Sequence, residues 1–303
     1  MSATWRDWAE LVRLPAVVTV PGDVLVGLAA GDGPRARAGW ALPLSSVALY
    51  WAGMALNDWA DRDLDAEERP ERPLPSGRVA PTHALGAAAG LTAAGVGVAA
   101  LAGGRRPAAV AAGIGAAVWL YDLAGKRGPL APVSMALTRS LDVLLGAAAS
   151  RQGTRAALLP ALAVGLHTLA VTDLSRGEVH GSEPVPATRA QVATLAAAGG
   201  SVAVAGAGAR SAWRAGRPWQ AAGHAAVALA VGAGLVAPAV PAQARAGRTG
   251  DAGDARRATL AGLAALVALQ GGLLAGLGRP VQAGAVVAFG RLGGRLRRWG
   301  SAT

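Results

Sequence analysis

Stretches dominated by Ala, Gly, Val and Leu recur along this chain, each about 17–22 residues long, close to what one helix needs to cross ~30 Å of hydrocarbon. They fall at 14–30, 39–56, 83–102, 107–122, 130–149, 156–172, 190–209, 219–240 and 258–277, each bounded by Pro, Gly or Arg. A single soluble core has no use for so many. With 52% hydrophobic and only 16% charged residues among 303, the bilayer is the natural solvent. The 43 glycines fit that setting, since small residues let helix backbones approach closely in lipid, as around Gly90, Gly95 and Gly97 or Gly271, Gly272 and Gly276. The expectation is an all-α, polytopic membrane bundle of about nine transmembrane helices, forming one domain over 1–303. A tail at 280–296 carrying Arg291 and Arg295 is compatible with a short tenth span or with an amphipathic surface helix.

The net charge of +11 does not point to nucleic acid, because the arginines are scattered among short connections rather than gathered on one face with aromatic residues between them. The absence of cysteine excludes disulfides and thiolate metal sites. Arg6, Asp7, Glu10 and Arg13 precede a first span with no small-residue cleavage site, so the N-terminus does not read as a removable signal. If it is cytoplasmic, the connections at 57–82, 122–129, 173–189 and 241–257 share its side and hold more Lys and Arg than the opposite ones. Arg105, Arg106, Arg210, Arg214 and Arg217 run against that bias. The expected location is the cell membrane, multi-pass, with the functional loops cytoplasmic.

The longest polar stretch begins where the second span ends. On a helix continuing past the membrane boundary, Asp58, Asp61 and Asp65 share one face at i, i+3 and i+7, with Asn57 beside them. Carboxylates so placed repel one another unless a cation lies among them, and all-oxygen ligands suit Mg²⁺, which binds through carboxylates together with substrate phosphates. A solvated acidic loop is the plain alternative. The arginine-rich segment directly behind the acids, at the end of a span, favours a diphosphate and metal site.

The run from Asn57 to Val79 resembles the first aspartate-rich signature of the UbiA superfamily of intramembrane prenyltransferases, N-D-x-x-D-x-x-x-D followed by R-P-L-x-S-G-x-V. Asn57, Asp58, Asp61, Asp65, Arg72, Pro73, Leu74, Ser76, Gly77 and Val79 fill every fixed position. The shape of the loops resembles the EboC-like branch. The resemblance implies helices around a central cavity, Mg²⁺ as cofactor, and Asp58, Asp61, Asp65 and Asp173 as metal ligands. It also implies a Tyr and a Lys after the fourth span that help hold the diphosphate. Tyr121, Asp122 and Lys126 stand there with altered spacing, so that Asp122 competes with Tyr121 for the tyrosine's place. Lys126 is the only lysine among 29 basic residues, and an ammonium point charge differs from a guanidinium at a phosphate. The second aspartate motif is degenerate: between Asp173 and Gly181 only Asp173 and Glu178 supply carboxylates.

Inside the spans, Arg139 and Asp142 lie three residues apart on one helical face, where a structural pair and a contact to substrate are both open. Asp23 and His167 are further polar residues in apolar spans, His167 reading mainly as a hydrogen-bonded packing residue. The expected activity is Mg²⁺-dependent transfer of a prenyl group from an isoprenyl diphosphate to a hydrophobic, aromatic or lipid-like acceptor. Asn57, Asp58, Asp61, Asp65, Asp173 and Glu178 form the catalytic set, and Arg72, Lys126, Arg139, Tyr121 and Asp122 hold the diphosphate. A non-catalytic prenyl-lipid binder is the alternative that the weakened second motif leaves open. An ion transporter ranks below it, since no internal duplication is evident.

Overall fold

The computed structural model describes residues 3–125, 131–181 and 184–300. Among them the chain is helical almost throughout: α1 (Trp5–Leu11), α2 (Pro21–Ala30), α3 (Leu42–Ala60), α4 (Arg62–Glu68), α5 (Pro81–Gly103), α6 (Arg105–Leu120), α7 (Ala131–Ala148), α8 (Leu158–Ser175), α9 (Gly177–His180), α10 (Pro184–Arg214), α11 (Pro218–Thr249), α12 (Ala252–Gly276) and α13 (Pro280–Gly300). Proline opens α2, α3, α5 and α11 at their first positions, where its missing N–H costs nothing. Each of the nine apolar stretches falls on helical structure, and among the described residues five helices are long and apolar enough to cross a membrane by themselves. The first stretch is divided, a 3₁₀ segment over Leu14–Thr19 leading into the short α2. The tail is helical and packs along α12 and the Leu14–Thr19 segment.

Many large apolar side chains face outward. Leu101 is 87% exposed, Leu229 75% and Val281 81%, which water would penalise and lipid would not. Packing inside relies on small residues. A methyl group built on Gly27 would overlap the carbonyl of Val143, and one built on Gly146 would overlap the carbonyl of Val24, so α2 and α7 touch backbone to backbone. One buried cluster joins α2, α7, α8, α10, α11 and α12, and a second joins α2, α3, α5, α6 and α7.

Successive long helices run antiparallel through short turns, which gathers the segments 61–80, 121–125, 176–181 and 250–251 at one end of the bundle. The opposite end is closed by contacts between Pro34 and Ser150 and between Asp32 and Arg279. The N-terminus joins the first end. A capping box between Thr4 and Asp7 starts α1, and Arg78 of the signature loop grips Asp7 at 2.6 Å and Glu10 at 2.8 Å.

Candidate active site

Between the two buried clusters lies a cavity of about 450 Å³, walled by α3, α6, α7, α8, α12 and the Leu14–Thr19 segment. Its mouth faces the end where the acidic signature lies, since Asn57, Tyr121, Asp122 and Arg13 belong to its wall. Ser46, Thr138, Arg139, Asp142 and His167 line it deeper in.

The signature does not continue as one straight helix. The backbone leaves helical geometry at Asp61 (φ −94°, ψ 2°), although the Asp61 N–H still donates to the Asn57 carbonyl and the Asp65 N–H to the Asp61 carbonyl. Asp58 and Asp65 nevertheless stay together. Both are buried, and one guanidinium spans them: Arg72 lies 2.6 Å from Asp65 and 3.6 Å from Asp58. Arg13 adds a second cation to Asp58 at 3.0 Å, and Arg69 stands 3.6 Å from Asp65. Arg13, in sequence only a charge flanking the first span, sits in the left-handed region (φ 49°) that turns the chain from α1 into the cavity wall.

The Asn57 amide nitrogen donates to Asp122 at 3.1 Å, tying the end of α3 to the π-helical turn over Tyr121–Gly125. Such turns place one extra residue in a helix and often mark functional sites. Tyr121 lies within electrostatic reach of Asp122, of Asp61 in the first signature and of Arg176 in the degenerate second motif. Asp173 ends α8 half-buried, 4.0 Å from Arg189 of α10, and Glu178 sits in α9. Lys126 lies outside the described residues.

Deeper in, Arg139 and Asp142 do not pair with each other. The close approach of α2 and α7 brings Asp23 2.9 Å from Arg139, a contact of charge rather than a directed hydrogen bond, since neither the Arg139 Nε nor the Asp23 Oδ2 has a hydrogen-bond partner. The directed bonds run from the Arg139 Nη2 to the Thr19 carbonyl at 2.8 Å and from the Gln270 Nε2 to Asp23 at 2.7 Å. Asp142 instead accepts from the Ser46 hydroxyl of α3. His167 is fully buried, its Nε2 2.8 Å from the Gly262 carbonyl.

The donor set is chemically suited to Mg²⁺, being all carboxylate oxygen at the mouth of an apolar cavity. Among the described residues no three acidic or imidazole side chains are gathered around one point, and arginines occupy the oxygens of Asp58 and Asp65. A cation held by one or two carboxylates plus phosphate oxygens needs no larger protein cage, so the residues fit the ion as part of a complex with diphosphate.

The UbiA prenyltransferase family model matches residues 16–261, most of the chain. The chain belongs to the UbiA prenyltransferase family. Among UbiA relatives, digeranylgeranylglyceryl phosphate synthase of Methanopyrus kandleri is 35% identical over 131 residues, which are 41% of this chain and 46% of the relative. Protoheme IX farnesyltransferase of Anaeromyxobacter sp. is 42% identical over 76 residues, 24% of this chain and 25% of the relative. The 4-hydroxybenzoate octaprenyltransferase of Cupriavidus necator is 41% identical over 64 residues, 20% and 22% of the two chains. The chain thus spans less than half the length of these curated relatives. The fold agrees over much more of the chain. The apo structure of a UbiA homolog from Aeropyrum pernix K1 superposes with a TM-score of 0.65 over 86% of this chain and 97% of that one, at 20% identity. A structure giving insights into digeranylgeranylglyceryl phosphate synthase in membranes reaches 0.64 over 90% and 98%, at 16% identity.

Proposed function

We propose that this protein is a Mg²⁺-dependent intramembrane prenyltransferase, a single domain whose mouth binds an isoprenyl diphosphate and whose cavity brings the prenyl carbon to an acceptor. The observation that carries the reading is the pair of buried carboxylates, Asp58 and Asp65, sharing Arg72 at the mouth of an apolar cavity. Buried charges at a membrane boundary are costly, and a chain keeps them where they bind something. The names of the relatives, with prenyl products built on glyceryl phosphate, haem and hydroxybenzoate, support group transfer and leave the acceptor open.

In this reading Asp58, Asp61 and Asp65, together with Asp173 and Glu178, would hold Mg²⁺. Bound there with the diphosphate, Mg²⁺ would supply positive charge to the leaving group. Arg72 and Arg13, already oriented by the carboxylates, donate to the phosphate oxygens, and Lys126 and Tyr121 add to them. Asn57 keeps Asp122 in place and so fixes the π-turn beside the head group. The bond between the prenyl C1 and the diphosphate oxygen breaks, the electron pair leaves with the diphosphate, and a nucleophilic atom of the acceptor bonds to C1 while its proton is released. The wall around Leu49, Met54, Val118 and Leu266 keeps water from the allylic cation, and the ring of Tyr50 offers it a π face. Arg139 is held by Asp23, so its contribution is to shape the cavity more than to meet the diphosphate. The mouth faces the cytoplasm, on the arginine bias of its loops.

The test is pyrophosphate release from labelled prenyl diphosphates by the purified protein in nanodiscs, with lipid extract as acceptor source and Mg²⁺ or EDTA. Release in Mg²⁺ alone supports transfer. Metal-dependent binding without release across the extracts favours the prenyl-lipid binder.

A further inference from the structure

The inner part of the cavity carries polar groups that an isoprenyl tail does not need, and their pairing bears on what lies beside the tail. Arg139 is the guanidinium of this inner wall, and it is already neutralised: Asp23 stands 2.9 Å away and the Thr19 carbonyl takes its Nη2. Asp142 is buried and bonded to Ser46, and it forms no ion pair among the described residues. His167 adds a further acceptor. The Gly262 carbonyl can only accept, so the His167 Nε2 carries a proton, and the Nδ1, buried with no hydrogen-bond partner, is an acceptor when the ring is neutral. Among the described residues the inner wall therefore offers hydrogen-bond acceptors and no unmatched positive charge.

We infer that the cavity selects an uncharged, hydroxyl-bearing acceptor and discriminates against carboxylate- or phosphate-bearing ones, with Asp142, Ser46 and His167 as the groups that receive its hydroxyls. The inference rests on the prenyl transfer proposed above and names the substrate class for that site. An anion brought to this inner wall loses its hydration, meets no unpaired cation among the described residues and faces the Asp142 carboxyl. A hydroxyl donates to Asp142 or to the His167 Nδ1 and accepts from Ser46 if that side chain turns, so its lost water contacts are replaced. The contrast with relatives named for glyceryl phosphate and hydroxybenzoate products is one of charge at this depth.

The experiment measures binding of matched probes to the full-length protein in nanodiscs loaded with Mg²⁺ and a non-reactive geranylgeranyl thiodiphosphate: phenol against 4-hydroxybenzoate, and glycerol against glycerol 1-phosphate. Each neutral member is expected to bind at least ~10-fold more tightly than its anionic partner. Asp23→Asn uncovers the Arg139 guanidinium and Asp142→Asn removes a facing carboxyl, and both are expected to narrow or reverse that preference. Because breaking the Asp23–Arg139 pair threatens folding, retained thiodiphosphate binding qualifies each variant, and Asp142→Asn stands as the second route. Equal or greater affinity for the anions in the wild-type protein overturns the inference, as does an unchanged preference in the folded variants. Absence of Mg²⁺-dependent thiodiphosphate binding in the wild type instead overturns the reading of the mouth.

Discussion

Arg72 is the side chain on which the acidic mouth turns. Asp58 is 5% exposed and Asp65 2%, and removing the guanidinium between them leaves two like charges partly buried with fewer cations. Arg72→Ala is expected to destabilise the protein by about 1–3 kcal/mol, below the ~3–5 of a fully buried broken pair because Arg13 and Arg69 remain. Thermal unfolding in detergent measures this, and recovery by Arg72→Lys would show that charge suffices. Asp7 gives a separate handle outside the membrane. Hydrogen bonds from Thr4, then from Arg78, hold its carboxyl at about 2 against an ordinary 3.8. The sign follows from the direction: a depressed carboxylate stabilises fully above its unfolded value, and the contribution fades as pH falls from 3.8 toward 2. A carbon NMR titration of Asp7 is expected to show the low midpoint, and Thr4→Val to raise it. The pattern of Asn57, Asp58, Asp61 and Asp65 was legible in the chain because the motif is local. Arg13 and Gln270 were not, since their partners lie 45 and 247 positions away and no spacing rule reaches so far.

Helices show the same division. Apolar length marked out nine stretches that each became helical, five of them in helices long and apolar enough to span by themselves among the described residues, because the bilayer demands it of each separately. Composition could not show that α3 breaks at Asp61, that α2 is short behind a 3₁₀ segment, or that Arg139 reaches across to α2 instead of up its own helix to Asp142. The last of these depends on which glycines face a neighbour. Gly27 and Gly146 do, and Gly86 does not, having nothing within 4 Å of an added methyl. Gly27→Ala should therefore force α2 from α7 and cost about 1–3 kcal/mol, the usual penalty for overpacking. Gly86→Ala on the exposed face of α5 is expected to be neutral or slightly stabilising, as glycine is the poorer helix residue. Unfolding midpoints of the two variants, compared in one detergent, read the difference.

Taken whole, the bundle has a polar, charge-paired end joined to an apolar cavity, and an opposite end closed by short contacts. The two ends predict opposite exposure. Because the chain has no cysteine, single cysteines at Ser76 and at Gln152 can report sidedness without background. In intact cells an impermeant maleimide is expected to label Gln152→Cys and to spare Ser76→Cys, with the reverse result placing the mouth outside. How the mouth is used is tested most directly by equilibrium binding of labelled geranylgeranyl diphosphate to the protein in nanodiscs as Mg²⁺ is titrated, for wild type, Asp58→Asn and Asp65→Asn. Binding that rises with Mg²⁺, vanishes in EDTA and weakens at least ~10-fold in each variant is the predicted result, in line with losses at metal-supporting residues. Binding indifferent to Mg²⁺, or equally tight in both variants, would contradict it.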